Sequence, residues 1–528
     1  MSQVQPIFIL PEGYTRTTGK DAQRNNILAA KLVAETVRTT LGPKGMDKMI
    51  VNSVGDVTVT NDGVTILGEM QIEHPAAKMI AEIAKTQEDQ VGDGTTTAVV
   101  LAGELLKNAD RLLDKEIHPT LITKGYRQAA EKAQEILNKM SKPIIIKDTD
   151  LLNKIAITAM TGKGAESSKE HLAGITVKAI CQVFEEGKIN RDDIKVEKKT
   201  GEGIENSELI QGIILDKERV HSRMPKQVKN AKIALLNVAL EIKNPEIDTK
   251  VQITDPIQLE AFMEQEENTI KEMTNKIILS GANVVVCQKG IDDLAQHFLA
   301  KTGVYAVRRV EKTSMERIAK ATGARIISNI KELNKEHLGT AGIVEEQKTG
   351  NDKITYIKEC KNAKAVTFLI RGGTQHVVNE AERAVKDAIG DVIAALIVGK
   401  VVGGAGATEI ALARKISDFA NSLSGREQLA VQAFADAIEV IPRTLAENSG
   451  LDQIDMITAM KSKHEGGMEW AGINVFSGKV VDSWKEGVIE PLKIKTQAIK
   501  SASEVAELIL RIDDIIAGAE KKEHLIHN

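Results

Sequence analysis

Gly92-Asp93-Gly94-Thr95-Thr96-Thr97 is the stretch on which the reading of this chain turns. Residues 76–89 before it form an amphipathic helical pattern, and residues 98–106 after it read as a second helix. The motif is therefore a glycine-bounded turn that opens a helix. The first amides of a helix have no internal partner, and the helix dipole adds partial positive charge there, so a phosphate is welcome. Gly92 and Gly94 permit close backbone approach and unusual torsions. Thr95, Thr96 and Thr97 add hydroxyl donors, and Asp93 offers the oxygen that a hard cation such as Mg²⁺ takes. These residues leave a second reading open, a helix–turn–helix in which Asp or Thr caps the second helix.

With 528 residues the chain is too long for one core, so two or three domains are expected. A hydrophobic fraction of 42% with 27% charged residues describes a globular chain, and 3% aromatics beside abundant Ala, Ile, Val, Lys and Glu suits a helix-rich α/β protein. Lys+Arg 70 against Asp+Glu 74 gives a net charge of −4, which argues against a nucleic-acid partner. Cys181, Cys287 and Cys360 are too scattered for a disulfide framework or a zinc site, so a reducing, cytoplasmic location is expected. No signal-peptide pattern opens the chain. The most apolar run, residues 389–402, is broken by Asp391 and Lys400 and falls short of the roughly 18 residues of a membrane span.

Outward from the central turn, residues 1–20 read as irregular, and a helix from Asp21 stops at Leu41-Gly42-Pro43-Lys44-Gly45. Residues 49–51 and 57–60 read as a hairpin running into Thr60-Asn61-Asp62-Gly63. Residues 158–165, including Thr161-Gly162-Lys163, read as a small-residue loop, and residues 187–208 as hairpin-like. From about 212 to 365 strands alternate with short helices, the rhythm of an inserted α/β domain. Within it a helix over 259–278 has an entry specified by Asp255, Pro256 and Gln258 as a capping box. A strand over 366–370 leads to a helix carrying Asp387; a glycine turn at 403–406 opens another helix; and a final helix is expected over 501–516.

No G-x-x-x-x-G-K-[ST] occurs, which sets aside the ordinary P-loop. Gly404-Ala405-Gly406-Ala407-Thr408-Glu409 approaches a dinucleotide fingerprint but has Glu in place of its last Gly or Ala. What remains is several glycine turns with Asp62, Asp93 and Asp387 far apart in sequence. Backbone donors, a carboxylate for Mg²⁺ and a carboxylate that places water are the parts of phosphoryl transfer, so an ATPase is expected.

Together the motifs resemble group II chaperonins, the archaeal thermosome family. The resemblance is carried by Thr40-Leu41-Gly42-Pro43-Lys44-Gly45-Met46-Asp47-Lys48-Met49, Thr60-Asn61-Asp62-Gly63, Gly92-Asp93-Gly94-Thr95-Thr96-Thr97, Gln288-Lys289-Gly290-Ile291-Asp292-Asp293 and Val488-Ile489-Glu490-Pro491-Leu492. It implies a multidomain α/β fold. A mostly helical equatorial ATPase domain would comprise residues 1–145 and 403–528, and a small α/β intermediate domain 146–215 and 366–402. An inserted α/β apical domain would span 216–365, with a helical lid protrusion at about 244–277. It implies an ATP-dependent chaperone of stacked rings of identical or paralogous subunits enclosing non-native polypeptides, with no separate co-chaperonin lid and no membrane or nucleic-acid partner.

By the same resemblance Leu41, Gly42, Pro43, Gly94, Thr95, Thr96 and Thr97 hold nucleotide and phosphates, and Asp93 holds Mg²⁺. Asp62 and Asp387 position and activate water. Thr161, Gly162 and Lys163 form the loop that senses the γ-phosphate, while Gly406, Asn474 and Glu490 line the adenosine side. Two departures stand out: Ala405 interrupts a run that the family fills with glycine, and the chain ends without Gly-Gly-Met repeats, so no tail into a cavity is expected. A structural ring subunit with weak ATPase is the competing reading; the presence of all three carboxylates favours the folding machine.

Overall fold

Apolar residues recurring at three- and four-residue spacing make about half of the described residues helical. The computed structural model describes residues 14–52, 55–164, 166–185, 187–242, 256–349 and 352–518. Among them the helices run α1 (Gly19–Arg38), α2 (Gly63–Glu69), α3 (Pro75–Gln90), α4 (Thr95–Asp114), α5 (Pro119–Met140), α6 (Thr149–Met160), α7 (Lys169–Val183) and α8 (Pro256–Ser280). They continue as α9 (Asp293–Lys301), α10 (Lys312–Thr322), α11 (Gln375–Val398), α12 (Ala407–Ser422), α13 (Arg426–Ile438), α14 (Val440–Asn448), α15 (Gln453–Glu465) and α16 (Leu492–Leu510). The chain divides into two units, Met1–Ala173 with Arg383–Asn528, and Gly174–Glu382. The expected multidomain α/β class holds.

The first unit is built around α4, against which α1, α3, α13 and α16 pack. Its core includes Ile27 and Val37 of α1, Ile80 and Ile83 of α3, Leu105 and Leu106 of α4, and Ile509 of α16. Tyr126 of α5 meets Phe434 of α13 edge to face at 5.6 Å, and its hydroxyl donates to the Leu105 carbonyl at 2.8 Å. That satisfies the polar end of a fully buried ring, whose burial contributes about 1.5–3 kcal/mol. Small residues set the closest approaches. A Cβ at Gly103 of α4 would stand 2.3 Å from Ala34 Cβ of α1, and one at Gly125 of α5 would stand 2.5 Å from Ala430 Cβ of α13.

The termini correct the sequence reading. Tyr14–Thr18, expected to be irregular, is a strand paired antiparallel with Asp514–Gly518, and Arg16 stands 2.5 Å from the Asp514 carboxylate. The last helix is α16, which starts nine residues earlier than expected and ends before that strand. Neither short strand shows its partner locally, because the pairing joins opposite ends of the chain. The expected hairpin is present as Lys48–Val51 with Val57–Thr60. The loop expected from 158 is helical through Met160, so only its Thr161-Gly162-Lys163 end turns.

In the second unit the main sheet runs Tyr305–Val307, Val284–Cys287, Gln227–Leu236, Gly339–Thr349, Asp352–Lys358, Ile213–Leu215, with Ile326–Ile327 also on Gln227–Leu236. Val284–Cys287 is buried at every position and parallel to both neighbours, which explains its unbroken valine run. A smaller sheet replaces the expected hairpin at 187–208. Ile194–Thr200 and Glu208–Ile210 do not pair with each other; Val366–Gly372 lies between them, parallel to the first and antiparallel to the second. In α8, Ile270 and Ile277 are buried while Phe262 and Met263 are exposed. The cap expected at Asp255 and residues 243–255 lie outside the described residues.

Gly103→Val would force a branched side chain into the α1–α4 contact, and overpacking of this kind costs about 1–3 kcal/mol. Its thermal unfolding midpoint should fall well below that of the unaltered protein; an unchanged midpoint would show that the two helices can separate freely.

Candidate active site

Helix α3 ends at Gln90, and the chain turns through Gly92 (φ 99°) and Gly94 (φ 79°) before α4 begins at Thr95. Gly94 itself is the N-cap. The alternative in which Asp or Thr supplies the cap is thereby overturned, since the capping residue has no side chain. The first helical bond is from the Ala98 amide to the Gly94 carbonyl at 3.0 Å, so the amides of Thr95, Thr96 and Thr97 precede it. Any other residue at 94 would be strained by its φ and blocked, its Cβ standing 2.7 Å from Ile494 Cγ2. From below, the Gln87 amide donates to the Asp93 carbonyl at 3.0 Å and fixes the turn.

Three other segments converge on this turn. Asp62 caps α2, accepting from the Thr65 amide at 2.9 Å, and its second oxygen accepts from the Thr95 hydroxyl at 3.4 Å. Gly63 permits that approach, because a Cβ there would stand 2.7 Å from Thr96 Oγ1. The Lys163 ammonium lies 2.5 Å from Asp387 and 3.6 Å from Asp93. A Cβ at Gly162 would stand 2.4 Å from Pro43 Cα, so the 161–163 turn lies on Gly42-Pro43, and the Gly162 carbonyl accepts from the Asn61 amide at 3.3 Å. The structure thus gathers Pro43, Asp62, Asp93, Thr95, Thr96, Gly162, Lys163 and Asp387.

Of the remaining expected residues on this side, Leu41 is buried and its carbonyl accepts from Asn448, a supporting role. Gly42 has φ 84° and no room for a side chain against Leu445. Thr97 is half-buried on the first turn of α4, and the Thr161 hydroxyl is spent on the Ile157 carbonyl.

Electrostatics separates the carboxylates. Burial pushes Asp387 up to about 7; Lys163 pulls it down, and Asp93 and Asp62 push it up. Burial opposes charge on Lys163 as well, but Asp387, Asp93 and Asp391 outweigh it and hold the ammonium charged. Asp391 was missed as a site residue. It is 2% exposed, its Oδ1 has no partner, and burial followed by Asp93 raises it well above the carboxylate range. It follows Asp387 by one helical turn, and a lone charged residue inside the apolar run from Ala388 to Val398 was the available signal. Gly390 was a second signal, since a Cβ there would stand 2.7 Å from the Val91 carbonyl and hold α11 off the turn.

Gly406, Asn474 and Glu490 form a separate group. Gly406 (φ 76°) caps α12, and Ala405 holds φ 57° despite its methyl, a left-handed strain of roughly 1 kcal/mol. Asn474 accepts from the Phe476 and Ser477 amides and closes the hairpin Ala471–Asn474/Lys479–Asp482, while the Ala405 carbonyl accepts from the neighbouring Ile473 amide at 3.0 Å. Glu490 stands beside Gly404, where a Cβ would lie 2.6 Å from its Oε1, and is bonded to Lys495, which also holds Glu409 at 2.7 Å. Burial raises Glu490 and Lys495 lowers it. Lys495 carried no sequence motif, and Glu409 was noted only as the residue that breaks a dinucleotide fingerprint.

A model of the TCP-1/cpn60 chaperonin family matches residues 33–520. The chain belongs to that family. A thermosome subunit of Methanopyrus kandleri is 61% identical over 518 residues, covering 97% of this chain and 95% of the relative. The thermosome subunit beta of Methanothermobacter thermautotrophicus is 60% identical over 515 residues, covering 98% and 95%. Among solved structures, an open-state monomer of a group II chaperonin from Methanococcoides burtonii is 48% identical with a TM-score of 0.59, over 80% of this chain and all of that one. Within the family this is a group II chaperonin of the archaeal type, an ATP-hydrolysing chaperone. No helix among the described residues is long and apolar enough to cross a membrane.

The quotient kcat/KM for ATP reports groups of the free protein. It should rise with pH through the neutral range as Asp387, pushed up to about 7, loses its proton. Lys163→Met removes the charge that pulls this carboxyl down, so the rising limb should move to higher pH. A limb that stays in place would show that Lys163 does not set the ionisation of Asp387.

Proposed function

We propose that Mg²⁺-ATP is held and hydrolysed at the turn between α3 and α4, and that hydrolysis drives a double-ring folding chamber closed by a built-in lid. The observation that carries this reading is the convergence of Asp62, Asp93, Lys163 and Asp387 on an α4 N-terminus whose cap has no side chain. Among the described residues no three His, Cys, Asp or Glu side chains form a metal cage. Mg²⁺ suits such a place, since it keeps waters and takes one or two carboxylates together with substrate phosphates. When bound, Mg²⁺-ATP supplies the transferable phosphoryl group and a charge that offsets its oxygens.

The chain's own groups do the rest. Amides of Thr95 to Thr97 donate to phosphate oxygens, and Asp93 supplies an oxygen to the metal. Asp62 is oriented by Thr65 and Asp387 by Lys163, so both carboxylates are set to hold a water and accept its proton. Lys163, charged and shared between Asp387 and Asp93, is placed to transfer its contact to an added anion and report it along the 161–163 turn. Gly406, Asn474 and Glu490 take the adenosine side.

The reading extends to the whole subunit as three domains: equatorial 1–145 and 403–528, intermediate 146–215 and 366–402, apical 216–365. Its partners are non-native polypeptides and identical or paralogous subunits in stacked rings. The free thiols Cys181, Cys287 and Cys360 suit a cytoplasmic location. Exposed Phe262 and Met263 on α8 beside Glu264, Glu266 and Glu267 suit a surface buried in only one state, and we assign residues 244–277 as the lid, with no separate co-chaperonin.

Asp387→Ala should retain ATP binding and lose turnover by roughly 10²-fold or more. Asp93→Ala should instead weaken nucleotide affinity in a magnesium titration. Turnover within a small factor of the unaltered protein in Asp387→Ala would remove that residue from the mechanism. For the lid, deletion of residues 246–275 should leave much of the ATPase and abolish protection of an enclosed substrate from protease; retained protection would sink the assignment.

A further inference from the structure

The first turn of α16 reaches both groups of candidate site residues. Ile494 faces Gly94, whose Cβ, if it had one, would stand 2.7 Å from Ile494 Cγ2. The Gln87 amide donates both to the Asp93 carbonyl at 3.0 Å and to the Ile494 carbonyl at 3.4 Å, and the Lys493 ammonium donates to the Gln90 carbonyl at 2.8 Å. One residue further on, Lys495 turns the other way. Its ammonium, on a side chain 7% exposed, bonds Glu409 of α12 at 2.7 Å and Glu490.

Such an arrangement is a poor way to gain stability. The Lys495 ammonium and the Glu409 carboxylate, each on a side chain 7% exposed, are stripped of water, Glu490 is 20% exposed beside them, and Glu409 Oε2 has no partner. It is a good way to fix a geometry. An ammonium offers three donors, and with two of them on carboxylates from different elements neither carboxylate can turn independently. The same helical turn is fixed to Gln87, Gln90 and Gly94, so Glu490 is held at a set span from the α4 N-terminus.

We infer that Lys495 is a positioning residue for nucleotide binding: through the first turn of α16 it fixes Glu490 relative to the Gly94 turn and so sets the span between the adenosine and phosphate sides. This rests on the reading of Glu490 as an adenosine-side residue. An ATP molecule must meet both sides at once, whereas inorganic tripolyphosphate meets only the α4 side. Loss of Lys495 should therefore separate the two ligands.

The test uses assembled full-length protein, with steady-state ATPase kinetics, inhibition by tripolyphosphate and thermal unfolding. Lys495→Met should raise the KM for ATP by about tenfold or more, the scale of a hydrogen bond to a charged group, with kcat changed less than about threefold. Inhibition by tripolyphosphate should hold within roughly twofold, because no contact of the α4 turn is removed. Glu490→Gln should show the same split. If Lys495→Met does not assemble, Lys495→Met with Glu409→Gln, which removes a carboxylate together with the ammonium, carries the same measurement. If Glu490→Gln weakens ATP and Lys495→Met does not, the positioning role is wrong while the site reading stands. If Glu490→Gln leaves ATP affinity unchanged, the adenosine-side reading itself fails. Equal loss of ATP and tripolyphosphate binding in Lys495→Met would mean general disruption and overturn the inference.

Discussion

The left-handed backbone at Gly94 is the constraint on which the site depends. It ends the approach from α3 within a few residues and starts α4 without a side-chain cap, so three successive amides stay free at a positive helix end. Everything nearby is arranged to keep that backbone accessible. Gln87 holds the turn from inside, Ile494 closes the space a side chain would need, and Gly63, Gly162 and Gly390 let three other segments come close. A helix end this open is costly to bury unless something anionic completes it, and that links the fold of the first unit to its chemistry.

Around that open helix end the unit places four carboxylates, Asp62, Asp93, Asp387 and Asp391, and Lys163. Burial first, and like charge second, raises two of them, Asp387 and Asp391. Asp387 sits above the usual carboxylate range because burial and its neighbours oppose its charge, and Lys163 limits the rise. Asp391, deeper and without a partner on Oδ1, is pushed further. Equivalent groups in water would titrate together; here they lie one helical turn apart on α11, the Asp387 side chain 16% exposed and Asp391 2%.

Much of this was legible in the sequence, and for physical reasons. Glycine at 92 and 94 and helical periodicity on either side are local properties, so the turn and its helices follow from the residues alone, whereas whether a side chain caps α4 was left open until the structure showed Gly94 there. Alternating strands and helices were read over 212–365, and Val284–Cys287 is one of those strands, uniformly apolar because a parallel strand covered on both faces is buried at every position. The family resemblance added roles for Asp62, Asp387 and Lys163, and the fold brings these side chains to the same turn.

The sequence by itself determined most of the local conformations, though not the reach of α6 to Met160 or the start of α16 at Leu492, together with the α/β character and the family. Tertiary structure alone decided which distant pieces meet. Tyr14–Thr18 pairs with Asp514–Gly518, and Val366–Gly372 separates two strands that look like a hairpin, because a strand's hydrogen-bonding edge carries no signature of its partner. Likewise Asp391, Glu409 and Lys495 are ordinary charged residues on helices until packing buries them; only the three-dimensional neighbourhood strips their water and makes their charges matter.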